Sequence, residues 1–155
     1  MYFFKLSAKF TFLLIIGLFY SCSEPDYRLL DGKNGSLEDF KDKWLVINYW
    51  ADWCPPCIKE MPELESFYNA NQQEVLVLAH NFDQLEGEEL NEQILRFKVN
   101  IPSLLTDPKD LFGWPMPESL PATYFIDPNG EVKEVLIGPQ TRESLEAILK
   151  KLKVK

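Results

Sequence analysis

Trp44-Leu45-Val46-Ile47-Asn48-Tyr49-Trp50-Ala51-Asp52-Trp53-Cys54-Pro55-Pro56-Cys57 is a stretch in which an apolar run leads directly into a helix start. The run Trp44–Trp50 is almost continuously apolar, which is typical of a β-strand buried on both faces. Proline is favoured in the first turn of a helix, and apolar residues then recur at helical spacing up to Asn69. The sequence therefore predicts a buried strand, a turn that holds two cysteines, and a helix over residues 55–69.

Strand and helix patterns continue to alternate after this stretch. The predicted elements are a strand over Glu74–His80, a helix over Glu86–Lys98, strands over Thr123–Asp127 and Val132–Ile137, and a helix over Thr141–Leu152. Pro128-Asn129-Gly130 favours a hairpin turn between the last two strands. The order β-α-β-α-β-β-α predicts an α/β fold with a central mixed sheet flanked by helices on both faces, formed by one domain over residues 29–155.

Cys54 and Cys57 form a Cys-x-x-Cys pair beside a strand–helix unit, which is a redox signature. At a helix N-terminus the macrodipole and the free N–H groups favour a thiolate at Cys54, the nucleophile of disulfide exchange. Three residues along a helix separate two Cα atoms by about 5 Å, within the ~4.4–6.8 Å that a disulfide tolerates. We therefore predict that Cys54 attacks a disulfide and that Cys57 resolves the mixed disulfide.

The two residues between the cysteines, Pro55 and Pro56, have no backbone N–H group. Two potential donors to a Cys54 thiolate are therefore missing, and the amide of Cys57 is left as the main local donor. We expect a less depressed Cys54 pKa than a donor-rich dipeptide would give, and a more reducing couple.

Metal and cofactor sites are not predicted. A zinc site needs about four ligands, whereas the chain has three cysteines and a single histidine, His80, which we interpret as structural. The glycine-rich pattern that binds nucleotide phosphates is absent. The sequence thus predicts no metal and no cofactor beyond a redox-active Cys54–Cys57 disulfide.

The N-terminal residues have the layout of an export signal. Lys5 and Lys9 precede an uncharged run of ten residues, Thr11–Tyr20, which is shorter than the ~20 residues of a membrane-spanning helix. We predict a lipoprotein-type signal peptide over residues 1–21, lipidation at Cys22 and a tether over residues 22–28. An ordinary export signal or an uncleaved anchor is the alternative. Lipidation of Cys22 would leave one cysteine pair, and a pair three residues apart closes too small a loop to stabilise a fold.

The charge of the chain argues against one class of partner. The formal net charge is −8, and removing residues 1–21 deletes two lysines and no acid, which gives −8 − 2 = −10. An acidic surface repels phosphate backbones, so nucleic acid is excluded as a partner.

Three segments together resemble a known family. Residues 50–57 resemble the thioredoxin active-site segment, with Trp53 beside the cysteines. Cys57-Ile58-Lys59-Glu60-Met61-Pro62 and Leu120-Pro121-Ala122-Thr123-Tyr124-Phe125-Ile126-Asp127 are similar to the TlpA-like group, which includes ResA and DsbE relatives. The resemblance covers roughly residues 29–153. It implies a thioredoxin-like fold and a membrane-anchored thiol–disulfide oxidoreductase outside the cytoplasm, in the bacterial periplasm or at the outer cell surface.

The resemblance also implies roles for individual residues. Pro121 matches the cis-proline that faces the disulfide. Asn48 falls where cytoplasmic thioredoxins carry a buried acid, which removes one candidate base for Cys57. Several relatives have a glutamate after the second strand, and here Asp83 or Glu86 is the candidate for proton transfer, although neither aligns without a shift.

The implied activity is reduction of disulfides in exported cysteine-containing proteins, with apocytochrome c as one substrate class; oxidation or isomerisation of such disulfides is the alternative direction. Because no nucleotide motif is present, we expect a membrane partner as electron donor, and we expect a monomeric enzyme. A copper-binding chaperone on the same fold is an alternative; it needs further soft ligands, for which His80 and Met116 are the candidates. A thiol peroxidase is a third hypothesis, but a vicinal cysteine pair is the wrong arrangement for it.

Overall fold

The computed structural model of the protein describes residues 24–154. The predicted signal segment and Cys22 lie outside these residues. The elements in chain order are β1 (Tyr27–Arg28), β2 (Asn34–Gly35), a 3-10 turn (Leu37–Phe40), β3 (Trp44–Trp50), α1 (Pro55–Asn71), β4 (Val75–Asn81), α2 (Gly87–Phe97), β5 (Ser103–Leu104), α3 (Pro108–Phe112), β6 (Ala122–Ile126), β7 (Val132–Ile137) and α4 (Arg142–Lys153). The seven predicted elements are all present: β3 and β7 have the predicted boundaries, and the boundaries of the other five differ by one or two residues.

The central sheet has five strands in the order β5-β4-β3-β6-β7. Strands β3, β4 and β5 are parallel, whereas β6 is antiparallel to both β3 and β7. All seven residues of β3 are buried, as its continuous apolar sequence predicts. The ends of β3 and β4 and the start of β6 therefore meet at one edge of the sheet, which we call the disulfide edge.

Alternate residues of the strands feed two apolar clusters, one on each face of the sheet. Val46 and Trp50 of β3 pack with residues of α1, α2 and α4, including Leu64, Leu90 and Leu145. Both crossovers, β3-α1-β4 and β4-α2-β5, step in the same direction across the sheet, and right-handed crossovers of this kind place both helices on one face.

The second face is covered by shorter pieces of chain. Leu45, Ile47 and Tyr49 of β3 pack there with Phe40 of the 3-10 turn and Phe112 of α3. The mixed sheet flanked by helices on both faces is thus confirmed: all three long helices lie on one face, and the short helix α3 and the 3-10 turn lie on the other. Within residues 24–154, no helix combines the length and the apolar character needed to span a membrane.

The folded body begins before Leu29. Tyr27 and Arg28 form β1, and the Asp26 N–H group donates to the Gly35 carbonyl at 2.8 Å. Leu29 then bridges to Leu104 of β5 in an antiparallel sense. Asp26–Arg28, which the sequence assigns to the tether, therefore have backbone partners in the nearby strand β2.

Candidate active site

The two cysteines lie at the disulfide edge, where β3 leads into α1. Cys54 is the N-cap of α1 and Cys57 is its third residue. A disulfide joins them, with Cα atoms 5.3 Å apart. Cys54 is 5% exposed and Cys57 is fully buried. A partner can therefore approach the sulfur of Cys54 more readily than that of Cys57, which agrees with the predicted order of attack.

The surroundings of the Cys54 sulfur are set by the two prolines. Pro55 and Pro56 occupy the first two positions of α1, and both are exposed. The backbone N–H group of Cys57 donates to Cys54 Sγ at 3.3 Å. An N-cap side chain usually accepts from the second or third helical residue, and here a proline removes the second donor. In the disulfide form the Cys57 amide thus lies where the sequence predicts a local donor to a Cys54 thiolate.

Pro121 and Trp53 border the cysteines. The Leu120–Pro121 peptide bond is cis, as the resemblance implies, and it directly precedes β6 at the disulfide edge. Trp53 is 58% exposed although it is a large apolar residue. Its indole Nε1 donates to Asp83 Oδ2 at 2.8 Å, and its ring meets Phe82 edge to face. The indole is thus held in one orientation at the surface beside Cys54.

Both residues predicted for proton transfer have side-chain partners in the structure. Asp83 accepts the hydrogen bond from Trp53, and Glu86 forms an exposed ion pair with Arg28 at 2.7 Å. Each carboxylate is exposed and contacts a neighbouring segment: Asp83 orients the Trp53 indole, and Glu86 pairs with Arg28 of β1. Their contacts support a positioning role.

A different acid, Glu60, lies next to Cys57 on the buried side of α1. Glu60 is 2% exposed. Its Oε1 accepts from Asn48 Nδ2 at 2.6 Å, and its Oε2 accepts from the backbone N–H of Gln140 at 2.8 Å. Burial raises the pKa of the Glu60 carboxyl to about 7, against the lowering effect of the bonds from Gln140 and Asn48. The site therefore contains a carboxyl group that can gain or lose a proton near neutral pH.

Sequence reasoning missed Glu60, but a signal for it exists. Residues three and four apart share one face of a helix. Glu60 is three residues after Cys57 and four before Leu64, so it falls on the same buried stripe as both. An acid on such a stripe must be hydrogen-bonded or neutral. Asn48, predicted on β3 in place of a buried acid, is its hydrogen-bond partner.

Comparison with known proteins gives the family. A model described as the AhpC/TSA family matches residues 23–135. The chain belongs to the AhpC/TSA family. Thiol-disulfide oxidoreductase ResA of Geobacillus kaustophilus is 33% identical over 134 residues, which are 83% of this chain and 75% of that protein. Thioredoxin-like protein YneN of Bacillus subtilis is 30% identical over 135 residues, which are 84% and 79% of the two chains.

A solved structure supports the same conclusion. The crystal structure of StoA from Bacillus subtilis is similar, with a TM-score of 0.65 and 26% identity, over 78% of this chain and 92% of StoA. This AhpC/TSA-family protein is a thiol–disulfide oxidoreductase with a thioredoxin-like fold, as the sequence predicts. Its substrates are cysteine-containing proteins.

The ligands suggested for the copper alternative are not brought to the cysteines of this AhpC/TSA-family protein. His80 lies on β4, and its ring packs edge to face on Tyr49, on the sheet face opposite α1. Its Nδ1 is 3.0 Å from the Leu104 carbonyl oxygen, which supports the structural interpretation. Met116 Sδ accepts from Gln84 Nε2. Within residues 24–154, no three His, Cys, Asp or Glu side chains form a group suited to a metal ion.

Proposed function

We propose that this thiol–disulfide oxidoreductase is a reductase of disulfides in exported proteins and works outside the cytoplasm. The observation that carries the direction of electron flow is the donor set at Cys54. One backbone N–H group, that of Cys57, reaches Cys54 Sγ, and prolines occupy the two positions before it. A thiolate with few donors is weakly stabilised, so the dithiol form is more readily oxidised and the couple is more reducing.

The exchange proceeds in two balanced steps. The Cys54 thiolate attacks one sulfur of a substrate disulfide; a Cys54–substrate disulfide forms and the other substrate sulfur leaves as a thiolate. The Cys57 thiol then loses its proton and attacks the Cys54 sulfur. The Cys54–Cys57 disulfide forms and the substrate leaves with both sulfurs reduced. Two electrons pass from the protein to the substrate, and no further cofactor takes part.

Glu60 is the acceptor that we propose for the Cys57 proton. Cys57 is fully buried, so water has little access to its sulfur. Glu60 is one helical turn away on the same face of α1, and its carboxyl ionises near pH 7. A base with a pKa close to the working pH combines a useful ionised fraction with a useful proton affinity. Asp83 and Glu86 are not needed for this step.

The test is the equilibrium reduction potential of the Cys54–Cys57 pair against glutathione or dithiothreitol. A value near the ~−270 mV of thioredoxin, or below it, is the expected result for a reductase. A value near the ~−120 mV of a strong oxidant would reverse the proposed electron flow. A Cys57→Ser variant should accumulate a mixed disulfide with an oxidised Cys-x-x-Cys-His peptide, which imitates the haem-attachment segment of apocytochrome c; Cys54→Ser should not.

Location and anchoring are part of the same proposal. The positively charged start, the short apolar run and Cys22 support export and a lipid tether. The proposal also includes a membrane protein as the source of electrons and a monomeric enzyme. Labelling of the full chain with a radioactive fatty acid, in wild type and in Cys22→Ala, tests the tether. Label in the wild type alone is expected; equal label in both would remove Cys22 as the attachment point.

A further inference from the structure

The side-chain amide of Asn48 is a buried group whose two ends have different surroundings. Asn48 is fully buried on β3. Its Nδ2 donates to Glu60 Oε1 at 2.6 Å and to Thr123 Oγ1 at 3.0 Å. Its Oδ1 is buried and has no partner among residues 24–154. Turning the amide over would therefore satisfy Oδ1 but would leave two N–H groups in the place that now holds one oxygen.

Thr123 is the residue that keeps the amide in place on the side away from Glu60. It lies directly opposite Asn48 in the register of β3 and β6, and it is fully buried. Its β-branched side chain has restricted rotation, so Oγ1 occupies a fixed point on the sheet. The bond to Thr123 uses the second N–H group of Asn48 and makes the present orientation the better-satisfied one.

We infer that Thr123 is a positioning residue for Glu60: by anchoring the Asn48 amide with its N–H group toward Glu60, it favours the ionised carboxylate. An N–H donor stabilises a carboxylate, whereas an amide carbonyl in the same place would accept a hydrogen bond from the neutral acid. Without Thr123 Oγ1 the present orientation would leave both Oδ1 and one N–H group unpaired. The turned orientation would also leave two polar groups unpaired, so the two orientations of the Asn48 amide would become similar in free energy.

Few other charges face Glu60 from the elements packed around it. On α1 itself, Cys57 is held in the disulfide, and Glu63 accepts from the backbone N–H of Arg142 at 3.0 Å. The Arg142 guanidinium binds Glu146 at 2.8 Å. From the sheet, Glu60 meets the neutral Asn48, and the connection before α4 contributes the Gln140 N–H group. The ionisation of Glu60 is therefore governed mainly by its burial and by these two donors.

The test is an NMR titration of the Glu60 side-chain carboxyl in the full-length oxidised protein between pH 5 and pH 9. Thr123→Val keeps the shape of the side chain but removes the oxygen, and Thr123→Ser keeps the hydroxyl. We expect the midpoint to rise by about one pH unit in Thr123→Val, a tenfold change in the ionisation constant, and to return close to the wild-type value in Thr123→Ser. An unchanged or lower midpoint in Thr123→Val would overturn the inference.

A double-mutant comparison shows whether Thr123 acts through Asn48. In an Asn48→Leu background, Thr123→Val should cause no additional shift; an equal shift in both backgrounds contradicts the inference. Thr123→Ala replaces Thr123→Val if the latter does not fold. The inference deepens the role that the proposed function gives to Glu60, but the titration needs no substrate. A shifted midpoint with an unchanged pH profile of exchange would support the positioning role of Thr123 and count against Glu60 as proton acceptor.

Discussion

At the scale of single residues, the buried carboxyl of Glu60 makes stability depend on pH. Its pKa is about 7 in the folded protein, compared with 4.5 for an ordinary glutamate, because burial disfavours the charged form. Between these two values the folded state holds a proton that the unfolded state has lost. Stability from this group is therefore complete below pH 4.5 and declines as pH rises through 7.

Replacing Glu60 with glutamine should remove this dependence. Relative to wild type, Glu60→Gln should become more stable by about 2 to 3 kcal/mol between pH 5 and pH 8. Urea unfolding of the oxidised proteins at the two pH values measures the change. Glu92→Gln, on the exposed surface of α2, is the control and should track the wild type. A wild type that gains stability over this range relative to Glu60→Gln would contradict the argument.

The residues of the site differ in how far the sequence alone could identify them. The spacing of Cys54 and Cys57 in the chain was sufficient to predict their role, and Pro121 could be predicted from the family resemblance of residues 120–127. The importance of Glu60 depends on Asn48 and Gln140, which are 12 and 80 residues away and meet it only after folding. Asp83 and Glu86 were predicted because they follow a strand, but the exposed partners that hold them are set by tertiary structure.

At the scale of secondary structure, the start of α1 should control the redox potential. The N-cap Cys54 can accept from the second and third residues of the helix, and the second is Pro56. Pro56→Ala restores that N–H group and should stabilise the Cys54 thiolate. A hydrogen bond to a charged acceptor is worth roughly 1.5–3 kcal/mol, so the potential should become more oxidising by about 30 mV or more.

Pro55→Ala is the matched control for this experiment. It restores an N–H group at the first helical position, which does not point at the N-cap side chain. Equal changes of potential in the two variants would show that chain stiffness, and not the added donor, sets the potential. Thiol titration of Cys54 in the same variants should show a lower pKa in Pro56→Ala alone.

Long elements could be predicted from the sequence, and short ones could not. The buried strand β3 and the helix α4 have enough residues for their periodicity to be visible. Two-residue strands such as β1 and β5 are too short to show a period. They form because each finds a partner strand, β2 for β1 and β4 for β5. The placement of all long helices on one face likewise depends on strand order, which the sequence pattern leaves open.

At the scale of the whole molecule, negative charge should favour basic substrates. The net charge is −8, and Asp52, Asp83 and Glu118 lie in the segments that border the cysteines and Pro121. Oxidised peptides rich in lysine should react faster than acidic ones, by roughly tenfold at low salt, and added salt should reduce the difference. Stopped-flow tryptophan fluorescence measures both rates.

Two charge substitutions can distinguish the effect of charge near the cysteines from the effect of the total charge of the protein. Glu118→Gln should reduce the difference in reaction rate between lysine-rich and acidic peptides. Glu131→Gln, in the β6–β7 turn at the opposite edge of the sheet, changes the net charge equally and should have little effect. Equal effects of the two variants would mean that total charge, not its position, sets the preference.

The burial of Glu60 has a consequence for the electrochemistry of the couple. Reducing the disulfide to two thiols consumes two electrons and two protons. The reduction potential therefore falls by about 59 mV for each unit by which the pH rises. If the Glu60 carboxyl binds its proton more tightly in the dithiol form, a third proton is taken up near neutrality and the slope approaches about 90 mV per unit. Potentials measured from pH 6 to pH 8 should show this steeper slope in wild type and the ordinary slope in Glu60→Gln. Such a protein would weaken as an electron donor whenever its medium turned acidic, and would strengthen again as the medium became alkaline.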